Sequence, residues 1–371
     1  MPNLLACPSC RNLLAREPDR LRCSCATYPV VEGIPIVTEW AKNRTFRIDE
    51  VLARHLPPPA GFAARLMGKL LPATGRIDAA ILNRDATFLE LAETLGRVGD
   101  LDYFRYRFSD LSYIASAALA APLSRGPVLD LGCGAGHLVS ALAKRIPKGL
   151  IVGLDLNYTL LYLARRFLAP GALFVCADAA ARLPFCDGAF EATISADVFQ
   201  YLPDLTTTSA ELLRVTRGPV LLSHLWTPSA SRPAGRPPDY YLKLFADRKP
   251  SLSGDRRLLE EFLRTRCLDL TRPPSADEES LTLVAGVDRA VIPGADYFLS
   301  GTSINPIYEV REEEGKLRLQ RRHLSDAYAA AFRKYGEHFP ESLTVTREQI
   351  ASRDPDLVRR FVLLDLPPNY C

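Results

Sequence analysis

Apolar positions follow two different periods along this chain. From about Thr45 to Ser124 they recur at helical intervals, and Ile77, Ile81, Phe88, Ala92 and Leu95 fall on one face. A second helix is expected from Leu101 to Ala121, carrying Tyr103, Tyr106, Phe108, Leu111 and Ile114, and Pro57-Pro58-Pro59 reads as a linker. Between residues 126 and 226 the pattern changes to short apolar runs of strand length. These are Pro127–Leu131, Leu150–Leu154, Leu173–Ala177, Ala192–Ser195 and Val220–Leu225, with helical stretches Leu138–Arg145 and Leu160–Phe167 between the first three. Near-continuous apolar strands alternating with helices predict an α/β fold, a parallel sheet covered on both faces. After Trp226 come a proline-rich loop (Pro228, Pro233, Pro237, Pro238), a helix near Arg256–Thr265 and a strand at Leu281–Val287. Ile304–Val310 and Lys316–Arg321 flank Glu312-Glu313-Glu314-Gly315 and read as a hairpin. Four segments are expected: 1–40, 41–125, 126–226 and 227–371.

Composition narrows the class. A chain of 371 residues with 47% hydrophobic and 24% charged residues is neither disordered nor fibrous. Lys plus Arg number 46 against 43 Asp plus Glu, and no segment forms a basic arm, so a nucleic-acid partner is not favoured. Nine cysteines, an odd count, and no basic stretch leading into an apolar run predict a cytoplasmic protein without a signal peptide. The longest apolar run, near Ile114–Leu123, falls well short of the roughly 18 residues of a membrane span.

The most informative stretch is Val128-Leu129-Asp130-Leu131-Gly132-Cys133-Gly134-Ala135-Gly136-His137. A buried strand ends in an acid, and three alternating glycines allow positive φ and close backbone approach to a ligand. Dinucleotide enzymes use a similar turn, but with G-x-G-x-x-G spacing. Two further acids close the next strands, Asp155 after Ile151–Leu154 and Asp178 after Phe174–Ala177. An acid at the first place can accept from both ribose hydroxyls, and one at the second from an exocyclic amine. Over about 126–226 these residues resemble the class I S-adenosylmethionine (SAM)-dependent methyltransferases. The resemblance implies a Rossmann-like seven-stranded sheet whose last strands lie beyond Trp226, with 41–125 as a helical bridge or lid. The rest of 227–371 then forms an α+β elaboration for substrate recognition. It also implies a SAM site, with S-adenosylhomocysteine as product, in which Gly132, Cys133, Gly134 and Gly136 form the loop. Asp130 orients that loop or the ammonium group, Asp155 with Leu156 holds the ribose, Asp178 with Ala179 the adenine, and Ser195 lies beside the methyl group.

Methyl transfer needs alignment and water exclusion more than acid–base groups, because the sulfonium already activates the methyl. Family position places Ser195-Ala196-Asp197-Val198 beside that methyl, so Asp197 is the first candidate to contact cofactor or acceptor. The alternative is that Asp197 caps a helix starting at Val198. His224, at the end of the following strand, is the candidate base, against a purely structural histidine. Tyr103 and Tyr106 precede the core where relatives often reach the SAM carboxylate, and their spacing suits core packing equally.

Cys7-Pro8-Ser9-Cys10 and, twelve residues on, Cys23-Ser24-Cys25 present four thiolates on two short turns, a donor set for structural Zn2+ with no open position. With Tyr28-Pro29-Val30-Val31-Glu32-Gly33-Ile34-Pro35-Ile36-Val37, residues 4–38 resemble the zinc ribbons of small methyltransferase-activating proteins, although C-x-C replaces the usual second C-x-x-C. A ribbon joined to a SAM domain also resembles bacterial rRNA guanine-N1 methyltransferases, but their histidine-containing continuation is missing. The expected function is methyl transfer to an O, N or C atom of a small-molecule acceptor. RNA base methylation, a SAM-binding scaffold and non-methylating SAM chemistry are the alternatives, and the oligomeric state is left open.

Overall fold

The computed structural model describes residues 4–54, 85–96, 100–148, 150–230, 232–288, 290–323 and 326–371. The expected linker Pro57–Pro59 and the positions Ile77 and Ile81 lie outside those residues. At the N-terminal end β1 (Ala15–Arg16), β2 (Arg20–Arg22), β3 (Thr27–Val31) and β4 (Ile34–Pro35) form an antiparallel sheet.

The central sheet begins with five parallel strands. These are β5 (Val128–Leu131), β6 (Ile151–Asp155), β7 (Leu173–Cys176), β8 (Ala192–Ala196) and β9 (Val220–Trp226). Beyond Trp226 the chain adds β10 (Ser251–Gly254) and, after the short β11 (Leu268–Asp269), the strand β12 (Ser280–Ala285). The order is β10-β12-β9-β8-β5-β6-β7, and β12 alone runs against the rest. Successive residues of a strand face opposite sides, so Val128 joins the helical layer while Leu129 and Leu131 pack into the other. Both faces are therefore dry, which is why these strands read as unbroken apolar runs. β10 escaped the sequence reading because Ser-Leu-Ser-Gly has one large apolar side chain, though all four residues are buried.

The single helix expected over Leu101–Ala121 is two, Leu101–Arg107 and Leu111–Leu119. Asp110 breaks it: its backbone is extended, and its carboxylate accepts from the Ser112 N–H at 2.8 Å and starts the second helix. Upstream, Phe88, Leu91 and Ala92 are the buried face of a helix over Phe88–Thr94, opened by a Thr87–Glu90 capping box. The C-terminal tail closes over it, with the Tyr370 ring stacked on Phe88 at 4.8 Å. The hairpin pairs Tyr308–Glu313 with Lys316–Arg321 and gains a third strand, Ser342–Val345. Ile304 pairs elsewhere, with Leu363.

The N-terminal sheet docks on the β7 edge. Val37 N donates to Cys176 O at 2.8 Å, Ala6 N to Pro184 O at 3.0 Å and Cys186 N to Leu4 O at 2.9 Å. Among the described residues no helix is long and apolar enough to cross a membrane.

Candidate functional site

β5 delivers Asp130 to the carboxyl edge of the sheet, and the chain then turns through Gly132, Gly134 and Gly136, all at positive φ. A Cβ on Gly132 would fall 2.5 Å from the Val198 methyls, whereas one on Gly134 would meet nothing within 4 Å. The first glycine is needed for packing, and the second leaves its face open. Above it lies a cavity of about 120 Å³ lined by Tyr103, Arg107, Asp130, His137 and Asp197 besides the loop. Asp130 is 2% exposed, and its Oδ2 has no hydrogen-bond partner. Burial, and then the Asp155 charge, push its carboxyl up to about 7, and Arg107 offsets part of this.

Asp155 lies beneath the loop: Oδ2 accepts from Gly134 N at 2.9 Å and Oδ1 from Asn157 N at 2.8 Å. Asp178 is exposed beyond β7, accepting from Ala180 N at 2.8 Å, with half-buried Ala179 beside it. Leu156 is exposed, and Cys133 is buried, its thiol held up by burial and the nearby acids. Ser195 does not line the cavity. Its hydroxyl donates to Leu131 O at 2.8 Å and ties β8 to β5.

Asp197 does not cap a helix. The short turn after it, Phe199–Tyr201, starts with no side-chain cap, while Asp197 sits at φ 57° and accepts from Gln200 Nε2 at 2.7 Å. Burial raises its carboxyl above the usual range, and His224 and Arg107 oppose the shift. On the next strand, β9 runs three residues from Leu222 to Leu225 while β12 runs two from Leu283 to Leu281. The extra residue is a bulge at Ser223–His224 that puts His224 at φ 64° and re-aims its ring. Strained backbone at two neighbouring strand ends marks a place where side-chain direction outweighs backbone comfort.

His224 Nδ1 lies 3.3 Å from Asp255 Oδ2, and Thr282 Oγ1 donates to Asp255 Oδ1 at 2.6 Å. Burial alone would lower the imidazole pKa, but Asp255 and then Asp197 raise it above its ordinary value. His224 lines a second cavity of about 380 Å³, together with Ser116, Ser223, Asp255, Arg256 and Glu278. The helix Leu111–Leu119 covers its top, where Ser116 Oγ meets Ser223 Oγ at 2.7 Å. His323 and His338 line neither cavity, and His55 lies outside the described residues.

Three residues that sequence reasoning missed belong to these walls. Arg107 lies 5.6 Å from the Tyr103 ring and 5.4 Å from that of Tyr113. Its only sequence signal is the four-residue step from Tyr103, whereas Tyr106 points into the core against Tyr328. Asp255 and Glu278 carry no motif at all.

The four cysteine sulfurs lie within 4.8 Å of one another, with Cys7–Cys25 and Cys10–Cys23 at 3.6 Å and Cys23–Cys25 at 3.7 Å. Tetrahedral Zn–S bonds of about 2.3 Å put sulfurs roughly 3.8 Å apart, so this spacing, Cys25 included, fits the ion. Burial works against ionisation of Cys7, yet the Cys10 and Ser9 N–H groups and the Tyr28 hydroxyl bring it down to about 6. Cys10 and the other neighbouring sulfurs hold Cys25 up at about 12, so without a cation the cluster resists full ionisation.

Residues 128–218 match the family described as a methyltransferase domain. This stretch, a methyltransferase domain, holds β5 to β8 of the seven-stranded sheet and ends just before β9. A demethylmenaquinone methyltransferase of Roseiflexus castenholzii is 38% identical over 104 residues, 28% of this chain and 43% of its own. A malonyl-[acyl-carrier protein] O-methyltransferase of Legionella pneumophila is 37% identical over 90 residues, 24% and 31%. The chain thus spans less than half the length of either relative. Among solved structures, a TehB-like SAM-dependent methyltransferase of Corynebacterium glutamicum is 22% identical, with a TM-score of 0.34 over 46% of this chain and 86% of its own.

Proposed function

We propose that this protein transfers a methyl group from SAM to a small-molecule acceptor held in the 380 Å³ cavity. The carrying observation is that the two cavities lie at the ends of neighbouring paired strands, β8 and β9. Asp197 lines the first and His224 the second, and Asp197 N donates to Ser223 O at 3.1 Å. The residues over the loop fit SAM. Asp130 offers a buried carboxylate with an unused oxygen to an ammonium group, Arg107 a cation to a carboxylate, and Asp155 an acceptor to ribose hydroxyls once it releases Gly134 N. Asp178 and Ala179 lie on the side expected for adenine.

Bound SAM supplies a methyl already activated by its sulfonium. The chain's own residues then align an acceptor lone pair and keep water out. His224 takes the acceptor proton at Nε2 as it is displaced, and Asp255 at Nδ1 stabilises the resulting imidazolium. Helix Leu111–Leu119 and the loop after Trp226, through Arg232, act as the lid. The relatives' names, a quinone precursor and a carrier-bound malonyl group, agree with an acceptor other than RNA. So does the hairpin, where Arg318 lies 3.6 Å from Glu313 and Arg322 3.2 Å from Glu309. We assign the Cys7, Cys10, Cys23 and Cys25 cluster to one structural zinc.

The test is calorimetric titration with SAM, followed by measuring S-adenosylhomocysteine released with fractionated metabolites and with RNA. Tight SAM binding and product formed with a metabolite fraction are expected. Absence of SAM binding, or product with RNA alone, rejects the reading.

A further inference from the structure

We infer that the acceptor carries a protonated amine, and that Glu278 is the residue that selects it. The inference rests on the second cavity being the acceptor site. Charges that cancelled among themselves would point to no ligand, and those lining this cavity do not all cancel.

The cations are accounted for. Arg256 Nη2 lies 2.8 Å from Asp277 Oδ2, Arg232 donates to Glu279 O at 2.9 Å and lies 3.7 Å from the Glu279 carboxylate, and Lys334 lies 3.6 Å from Glu260. All three sit at the rim, their side chains between 25% and 52% exposed. The deep carboxylates differ. Asp255 has Thr282 Oγ1 on Oδ1 and the His224 ring 3.3 Å from Oδ2, which accepts no hydrogen bond. Glu278 has a side chain only 2% exposed, its Oε1 accepts no hydrogen bond, and its nearest cation is Arg256 at 4.0 Å, which is committed to Asp277 instead. Its other oxygen accepts from Arg256 N at 3.4 Å, at the start of helix Asp255–Thr265, with the Arg257 N–H also in reach of the carboxylate.

A carboxylate oxygen without a hydrogen bond at such depth is costly, and burial raises the Glu278 carboxyl above its usual range, against the opposing pull of Arg256 and the Arg256 and Arg257 N–H groups. The chain nevertheless makes room for it. A Cβ on Gly254 would lie 2.2 Å from Glu278 Cδ and Oε1, so a glycine is what allows the carboxylate to rest there. A carboxylate oxygen left without a hydrogen bond at a cavity wall is the expected form of a site whose remaining partner is the ligand. The ligand must then be cationic. Hydroxyls of Ser112, Ser116, Ser223 and Thr282 complete the wall, so the amine sits among other polar groups rather than on a hydrocarbon. The volume of about 380 Å³ admits a monosaccharide-sized molecule and excludes a folded RNA.

The experiment uses the full chain and three small probes, a cationic amino sugar, its neutral N-acetyl form and a small dianion: glucosamine, N-acetylglucosamine and malonate. Each is followed by saturation-transfer NMR, with S-adenosylhomocysteine present and absent. Glucosamine is expected to show transfer at least tenfold above the other two at pH 7. Glu278→Gln should remove that preference, while Glu313→Gln, on the distant hairpin, should keep it. Equal signals from glucosamine and its N-acetyl form, or a stronger one from malonate, overturns the inference in the wild-type chain alone, so it stands even if Glu278→Gln fails to fold. A glucosamine preference untouched in a folded Glu278→Gln overturns it as well. SAM binding is measured separately, so loss of the methyltransferase reading would appear there and not in the probe ratios.

Discussion

The cavity over the glycine loop takes most of its wall from residues 130–138 and 196–198, whereas its neighbour gathers side chains from Leu111 to Tyr335. The first is built by turns that follow strands directly, so its chemistry is written in consecutive residues. The second exists only after helix Leu111–Leu119, β9, β12 and helix Asp255–Thr265 have packed together. A local site can be carried intact from one protein to another; an assembled one changes with every insertion. That is why the family match covers residues 128–218, around the first, and ends before β9.

The largest expected effect tests whether the local site is as self-contained as its sequence suggests. The cysteine unit is hydrogen-bonded to the β7 edge and to the Leu183–Cys186 turn, beside Asp178. Structural zinc sites contribute on the order of 10 kcal/mol to folding of the unit that holds them. Elemental analysis of the intact chain should find one zinc, and Cys7→Ser should therefore lose it and lower Tm by about 10 °C or more. SAM affinity should fall at least tenfold while the second cavity keeps its probe preference. Zinc retained in that variant, or none in the intact chain, separates the cluster from the fold.

Next comes Asp130, where stability and binding should move in opposite directions. Its carboxyl is raised to about 7 by burial, so the folded state holds a proton that the unfolded state, near 4, has lost. Stability from this group is present below pH 4 and falls as pH rises to 7. At about 1.4 kcal/mol per unit the ionised form costs up to about 4 kcal/mol. Asp130→Asn should raise Tm at pH 8, leave it unchanged at pH 4, and weaken SAM binding tenfold or more by calorimetry. A variant that is stabler and still binds SAM fully would remove Asp130 from the cofactor site.

The same contrast decides what could be read from the sequence. Five parallel strands, the glycine turn and the three acids were legible because apolar runs and strand-end acids are local signals. β10 was not, since its burial comes from neighbours rather than from its own Ser-Leu-Ser-Gly. The helix Leu205–Val215 was missed because Thr206, Thr207 and Thr208 weaken its propensity, and Asp204 compensates by capping it. His224 could be named as a candidate, but not its bulge or Asp255, which lies 31 residues on in sequence and 3.3 Å away in space.

His224 gives a smaller effect with a defined sign. Its imidazole is raised above an unfolded value near 6.5, so the folded state favours the charged form. The contribution is full below pH 6.5 and disappears as pH rises through the folded value. Comparing Tm against pH for wild type and His224→Gln should show a gap at pH 6 that narrows toward pH 8. Turnover at saturating acceptor should fall in the variant with KM nearly unchanged, because the proton is lost only as the new bond forms. A pH-independent gap would mean that the ring acts only by packing.

The smallest effect is expected at the hairpin, where Arg318, Arg321 and Arg322 fall within five residues. Arg318 lies on the hairpin strand Lys316–Arg321, its side chain 53% exposed and 3.6 Å from a Glu313 carboxylate that is 51% exposed. Pairs at that exposure contribute about 0–1 kcal/mol, so Arg318→Ala should shift Tm by no more than a degree or two. A phosphate contact would behave differently. Each one lost from a single-stranded partner should reduce the slope of log affinity against log salt by about 0.7. Measured on a short single-stranded RNA, Arg318→Ala is expected to leave both affinity and slope unchanged, because Glu313 already takes the charge a phosphate would need. A reduced slope would make this hairpin a nucleic-acid surface, and would move the substrate of the first cavity's methyl group from the second cavity to the outside of the protein.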